Sequence, residues 1–534
     1  MKDLIRTRPP NQHPFSEDNV QWIRNCLQNC RRNHARCNKY RQEAQSLRQP
    51  RYLLDLGFDV DGQVRLVKLG KIKDFTILSY CWGEKPHYKT TSKNIQGHLA
   101  GFPLENLPKT IRDAIKVTLA LGLRYLWVDA LCILQDQDDQ IIQNEVRIAH
   151  EFYSRGTVVI GAASASHSNA GFLASQDLSY REYELPIALK GGDTLLERAF
   201  DKKPEPMDER AWMFPEAKNA LCILRFESER VAWECQETKL ADSDVDELST
   251  SDEICFSTSP FAGSRFMRRN TGVDDPEMHL ANWFKLVIDY SARQTGRLAD
   301  KLLPFDCIAP FMAKTIGWDL SEYKAGLWMR DMPRQLLWCR NCHHENTDTT
   351  SSPSDTTLTP SWSWAKIRSP IAWLDLNQLD WDDYTLEVVS CVRGRQLIVK
   401  GYVLDTFWDG QKMIPATSRD EADRAWRAAS GPAARSRSRS PSGTHHADIQ
   451  CHQWAQYSPC PIKVFWDEPL RPMRQKVRCL EIRSSVNTTD RSYGIVLTCD
   501  GSSTSKRLGY FEFQHKEMDW NWLHQKRRRT IFIN

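Results

Sequence analysis

The sequence has no long hydrophobic run. Its longest apolar stretch, Val117 to Leu134, is broken by Arg124 and Asp129. Charges are costly inside a bilayer, so the stretch reads as helix, turn and strand, and no membrane partner is expected. The opening segment, MKDLIRTRPPNQHPF, has no apolar core, so no secretory signal is expected there. An excess of one charge is missing too. Lys+Arg total 72 against Asp+Glu 68, a net +4, and so balanced a chain gives no electrostatic reason to bind nucleic acid or membrane. The patterns G-x-S-x-G, H-E-x-x-H, the P-loop and G-x-G-x-x-G do not occur. Their absence removes the familiar serine-nucleophile, zinc-protease and nucleotide-cradle readings. No internal repeat is visible, which argues against a solenoid.

What is present is a chain of 534 residues, long enough for two to four domains, with 41% hydrophobic and 26% charged residues, ordinary for globular protein. With no signal peptide expected, its sixteen cysteines are expected to be reduced thiols. The expected compartment is the cytoplasm, with the nucleus second. Nineteen tryptophans are many, and they cluster in short motifs.

Residues 17–47 carry Trp22, Cys26 and Cys30 at intervals of four, a buried helical face. Strand-like and helix-like segments then alternate. Lys73–Tyr80 reads as a strand running into the turn Cys81-Trp82-Gly83. Leu107-Pro108 opens a helix whose Ile111, Ala114, Ile115, Thr118 and Leu119 form one apolar stripe, stopped by Gly122. Tyr125–Val128 is a short buried strand, Gln137–Ser154 a helix ended by Gly156, and Thr157–Ala162 another strand. This alternation predicts an α/β fold with a doubly wound, mostly parallel sheet.

The expected organisation is an N-terminal helical segment over 1–49, the α/β domain over 50–240, a mixed helical middle region over 260–345 with a helix at Trp283–Lys301, and a β-rich C-terminal region over 360–534. Strands are expected at Leu386–Val389, Gln396–Val403, Val477–Arg483, Tyr493–Thr498 and Arg507–Phe513. Asp242–Asp252 and Asn346–Thr359 read as loops. A disordered loop over 415–446 contains Arg435-Ser-Arg-Ser-Arg-Ser-Pro441, whose Ser436, Ser438 and Ser440 are candidate phosphorylation sites.

Several motifs in fixed order carry a resemblance. They are Leu78-Ser-Tyr-Cys-Trp-Gly83, Leu107-Pro-Lys-Thr-Ile-Arg-Asp-Ala114, Tyr125-Leu-Trp-Val-Asp-Ala-Leu-Cys-Ile133 with Gln135, Phe152-Tyr153, Val158–Ala163 and Gly171-Phe-Leu173. Arg210-Ala-Trp-Met-Phe-Pro-Glu216, Trp233-Glu-Cys235, Asp300-Lys-Leu302, Tyr323-x-x-Gly326-Leu-Trp328 and Pro360-Ser-Trp-Ser-Trp364 follow. The set resembles the fungal heterokaryon-incompatibility (HET) domain family, itself distantly similar to the Toll/interleukin-receptor (TIR) class of α/β domains. The chain departs from the family's usual pattern at Ala211, Pro215, Asp139-Gln140 and Ala149.

The resemblance implies a role in self/non-self recognition and cell-death signalling, with other incompatibility proteins as partners and self-assembly into a homo-oligomer. Several TIR domains cleave NAD, using a glutamate four positions after a tryptophan. Trp212 and Glu216 have that spacing, which places both on one helical face. The resemblance therefore implies Glu216 as a catalytic carboxylate and NAD as substrate, with no other cofactor. Against it stands a structural reading, in which Trp212 packs in the core and Glu216 caps a helix or pairs with Arg210. A non-enzymatic adaptor that signals by self-assembly is the competing function.

Asp129 follows a strand expected to be parallel, and open α/β sheets bind ligands beyond the carboxyl ends of such strands. Tyr80 and Trp82 belong to the turn on the same edge, where an indole can stack on a nucleobase. Substrate binding is thus assigned to Tyr80, Trp82, Asp129 and Trp212, with turn-capping and core packing as the plainer roles. Glu145, Arg147 and Glu151 on the second helix read as a solvated face.

Cys26, Cys30, His34 and Cys37 have spacings that can reach one ion. However, tetrahedral sites usually draw ligands from two elements, and buried thiols pack well, so no metal is expected. Cys339-Arg-Asn-Cys-His343 matches the haem-attachment pattern by chance. The run Lys526-Arg-Arg-Arg529 is read as solvated, and nucleic acid is not an expected partner.

Overall fold

The computed structural model describes residues 11–57, 62–68, 70, 74–83, 88–175, 181–188, 194–199, 204–242, 276–341, 359–373, 384–408, 413–414, 462–467, 475–485, 491–499, 502–514 and 527–534. The chain divides into two compact units, Met1–Gly272 and Val273–Asn534.

The first unit opens with helices α1 (Glu17–Asn33) and α2 (Ala35–Ala44). Ser16 starts α1 by accepting a hydrogen bond from the Asn19 amide on its Oγ, at 3.2 Å. Glu17 and Asp18 lie at the positive end of the helix dipole, and Arg31 and Arg32 at the negative end. There follow β1 (Leu53–Asp55), β2 (Gln63–Val67), β3 (Thr76–Ser79), α3 (Ile95–Ala100), β4 (Phe102–Pro103), α4 (Lys109–Ala120), β5 (Tyr125–Trp127) and the single-turn α5 (Asp129–Cys132). Then come α6 (Asp139–Arg155), β6 (Val158–Gly161), a hairpin of β7 (Arg181–Ala188) and β8 (Thr194–Ala199), α7 (Met213–Asn219), β9 (Cys222–Phe226), β10 (Val231–Cys235) and β11 (Lys239–Ala241).

Nine strands form one sheet in the order β11-β10-β9-β6-β3-β5-β1-β2-β4. Its centre is parallel: β3 pairs with β5 and with β6, and β6 with β9. Every residue of β3 and β6 is buried, as expected where both faces are covered. The margins are antiparallel, through β1, β2 and β4 on one side and β10 and β11 on the other. The alternating pattern anticipated the central strands but not these margins.

Helix α4 buries Ile111, Ala114, Ile115 and Thr118 as the stripe predicts. Leu119, by contrast, is 50% exposed. Val117, off the predicted stripe, is buried, so in the last turn the covered face lies towards Val117 and Thr118 and away from Leu119. The helix expected over Gln137–Ser154 runs Asp139–Arg155, and Gly156 follows it.

In the second unit the first helix runs Pro276–Ser291, ending earlier than the expected Lys301. An antiparallel sheet contains Glu387–Val392, Gln396–Trp408, Gln475–Ser485, Arg491–Thr498, Arg507–Gln514 and Ile462–Trp466 in that order. Met413–Ile414 and Arg527–Ile533 also pair with Gln396–Trp408. All five expected strands are present, and several are longer than predicted. The basic run contributes to Arg527–Ile533, where Arg528 pairs with Glu387 and Arg529 with Asp405. Trp283, Trp328, Trp338, Trp362 and Trp364 are fully buried, which accounts for much of the tryptophan content as packing. Arg507 is buried against Asp467, with Nε to Oδ2 at 2.8 Å, and its guanidinium lies 3.4 Å from the Trp338 ring centroid.

The Arg-Ser tract, nearly all of both predicted loops, and Cys342 and His343 lie outside the described residues. Among the described residues no helix is long and apolar enough to cross a membrane.

Candidate functional site: a buried carboxyl pair

Parallel strands present their carboxyl ends along one edge, and here that edge collects the polar residues. Ser79 ends β3 and Tyr80 follows it. Trp82 comes next, and the chain then turns at Gly83, which has φ +83°. A Cβ added there would stand 2.7 Å from the His167 Cβ, so glycine is required for both conformation and space. Asp129 opens α5, two residues beyond β5. Glu216 lies on α7, just before β9. Pro215 sits within the first turn of α7, where proline is tolerated, so the departure at this position leaves the helix intact.

The Trp82 Nε1–H donates to Asp129 Oδ2 at 2.9 Å, and the Ala130 amide donates to Asp129 Oδ1 at 2.7 Å. Glu216 accepts a hydrogen bond from the Ser79 hydroxyl through Oε2. The Tyr153 hydroxyl, from α6, also favours the charged form of Glu216. Both acids retain some exposed surface, and burial of their carboxyl groups is the largest influence on each. It raises Glu216 from 4.5 to about 8, and the nearby Asp129 charge adds to the rise. Ser79, Tyr153 and Arg210 act against it. Burial likewise raises Asp129 from 3.8 to about 6, opposed by the Ala130 amide, the Trp82 indole and Arg210. Tyr80 and Tyr153 are pushed well above 10 by burial and by these carboxylates, so their hydroxyls stay protonated.

At neutral pH the pair is therefore split, with Glu216 mostly protonated and Asp129 mostly ionised. Two acids driven apart in this way are the arrangement that separates proton donor from anion in carbohydrate-cleaving sites. The expected residues Tyr80, Trp82, Asp129 and Glu216 come together on this edge. Trp212 does not join the network. It packs half-buried against the domain core, with no hydrogen bond to either acid among the described residues. The indole of Trp82 is half-buried and tied to Asp129 rather than standing free. Arg210 acts on both acids through its charge but makes no direct ion pair with either among the described residues.

Sequence reasoning missed Ser79 and Tyr153. Both lie inside quoted motifs, but in a strand and a helix they read as ordinary core positions. Ser79 ends a strand at that edge, but Tyr153 lies near the end of α6 that leads into the amino end of β6, so no local signal brought its hydroxyl to Glu216.

An α/β domain with an acid pair at the carboxyl edge of a parallel core is the class this geometry defines. Residues 75–216, which span both acids and the three central strands β3, β5 and β6, match the family model described as Heterokaryon incompatibility protein (HET). The chain thus carries a HET domain, and the match ends on Glu216 itself. Searches of curated proteins and of solved structures found nothing that matches the chain.

Proposed function

We propose that the HET domain of this chain serves heterokaryon incompatibility by hydrolysing NAD at the nicotinamide–ribose bond. The observation that carries this reading is the split acid pair, Glu216 and Asp129, beside Trp82 on the edge where open α/β sheets receive ligands. In the proposed reaction nicotinamide departs with the electrons of the C1′–N bond, and positive charge develops on the ribose. Asp129, ionised at neutral pH, stabilises that charge. Water then adds at C1′ and releases its proton to solvent. The pyridinium ring of NAD is cationic, and a cation brought beside Glu216 favours its ionised form. The resting proton on Glu216 is then lost on binding, and its carboxylate is free to hold the ribose hydroxyls. A likeness to TIR domains, a homo-oligomer and a cytoplasmic setting with other incompatibility proteins as partners belong to the same proposal.

One observation favours a second reading. Both acids are tied into the fold, Glu216 by Ser79 and Asp129 by Trp82 and the Ala130 amide, as in an adaptor whose polar network fixes the edge of its sheet. Inducible expression in a fungal host separates the two. The enzyme reading expects growth arrest with falling NAD for wild type, and neither for Glu216→Gln present at equal abundance. Arrest with NAD unchanged, in wild type and variant alike, would establish the adaptor instead.

A further inference from the structure

Outside the carboxyl site, four metal-binding side chains of the first unit face one point. Cys30 lies in the last turn of α1, His34 at the break between α1 and α2, and Cys37 in the first turn of α2. Cys235, about two hundred residues further on, is the last residue of β10. All four are buried, and their ligand atoms lie within 4.8 Å of one another. His34 Nδ1 is 3.3 Å from Cys235 Sγ and 3.8 Å from Cys37 Sγ. Around a tetrahedral zinc ion, with Zn–S of about 2.3 Å and Zn–N of about 2.0 Å, ligand atoms stand ~3.5–3.8 Å apart. The two sulfur–nitrogen separations bracket that range before any ion draws the ligands in.

We propose that Cys30, His34, Cys37 and Cys235 bind one zinc ion in a closed Cys3His site that clasps α1 and α2 to β10. Three thiols and an imidazole suit zinc among the common divalent metals, and four protein ligands leave no open position, so the role is structural.

Three further observations support the assignment. First, His34 occupies the N-cap of α2 with φ −90° and ψ 100°, yet makes no side-chain capping hydrogen bond. Ser, Thr, Asp or Asn would serve that position better. The imidazole instead turns its Nδ1 towards the thiols. Second, the residues of α2 that are buried are Cys37 and Ala44. A ten-residue helix with so little apolar burial is poorly held by packing alone. Third, donors surround the sulfurs. The Thr238 amide lies 3.4 Å and its hydroxyl 3.3 Å from Cys235 Sγ, and Arg41 Nη2 lies 3.9 Å from Cys30 Sγ. Such outer contacts favour thiolates and orient them towards a metal. Cys26, one helical turn before Cys30, is not in the set. Cys235 takes its place and supplies the second element that a tetrahedral site usually needs.

The competing chemistry is a disulfide, because Cys222 Sγ lies 3.4 Å from Cys30 Sγ. Measurement of zinc and titratable thiols on the full chain, purified under reducing conditions, separates the two. One zinc per chain is expected, with every thiol recovered after denaturation in chelator. Cobalt added to the chelated chain should give the intense visible absorption of a tetrahedral thiolate site. Cys26→Ser should keep the metal, and Cys235→Ser should lose it. Because Cys235→Ser can misfold, His34→Cys provides the second arm: it should retain one metal, with the cobalt spectrum shifted towards four sulfurs. A folded, reduced chain with no zinc and no cobalt spectrum would overturn the proposal. So would two thiols missing from the count, or full metal retention in folded Cys235→Ser.

Discussion

Replacing Glu216 by Gln should change how the stability of the first unit depends on pH, and the size of the change follows from the site. Burial holds the Glu216 carboxyl at about 8 in the folded chain against an ordinary 4.5. Between those values the folded chain keeps a proton that the unfolded chain has released. The contribution of Glu216 to stability is therefore full below about pH 4.5, falls as pH rises, and is gone above about pH 8. Over the interval from pH 5 to 7 the linkage amounts to roughly 2–3 kcal/mol, an upper bound given the part of Glu216 that meets solvent. For a unit of this size that corresponds to a fall in Tm on the order of 5–10 °C. Glutamine cannot ionise and resembles the protonated acid, so this slope should be absent from Glu216→Gln. Thermal unfolding of both proteins at half-unit steps from pH 5 to 8 measures it. The variant should gain on wild type steadily as pH rises. Parallel curves would mean that the carboxyl titrates as a solvated glutamate, and the split pair would fall with it.

Three other outcomes follow from the same geometry. If NAD is cleaved with Glu216 ionised, kcat/KM should climb with pH towards a plateau above an apparent pKa near 8, because that ratio reports the free enzyme. A flat profile between pH 6 and 9 would remove Glu216 from the reaction. Trp82→Phe deletes the indole N–H that Asp129 Oδ2 accepts at 2.9 Å. It should cost about 1–3 kcal/mol of stability and raise the Asp129 pKa above its present value, read by carboxyl-sensitive NMR. An unchanged Asp129 titration would refute the coupling. In the second unit, Arg507→Met strands Asp467, now bound at 2.8 Å, and should destabilise by about 3–5 kcal/mol in urea unfolding. The double change Arg507→Met with Asp467→Leu should recover a good part of this, and no recovery would show that the two losses are independent.

The central strands were legible because β5 and β6 are short apolar runs and β3 a β-rich segment, separated by helical periodicity, as a covered parallel core requires. The margins were not. β1 and β4 have only three and two residues, too few to display a period. β9 follows a stretch whose order could not be read, although its pairing with β6 completes the parallel core. Leu119 shows the limit of a helical stripe, since periodicity says which residues share a face but not where the neighbouring element stops covering it.

At the site, Asp129 and Glu216 were legible through strand ends and motif spacing. Trp212 shared that spacing, yet it stands at the N-cap of α7 and packs against the core. Ser79 and Tyr153 matter because both act on Glu216, a meeting that depends on tertiary packing. The cysteine cluster makes the same point more sharply: three ligands were visible in local spacing, while Cys235 becomes a neighbour only when β10 is laid beside the helices.

The most direct test of the central claim is nicotinamide release from NAD by the purified full chain at pH 8 and high protein concentration, beside Glu216→Gln of matched fold. The account predicts release by wild type and none above background by the variant. Equal release by both, or silence from folded and self-associated wild type, would contradict it.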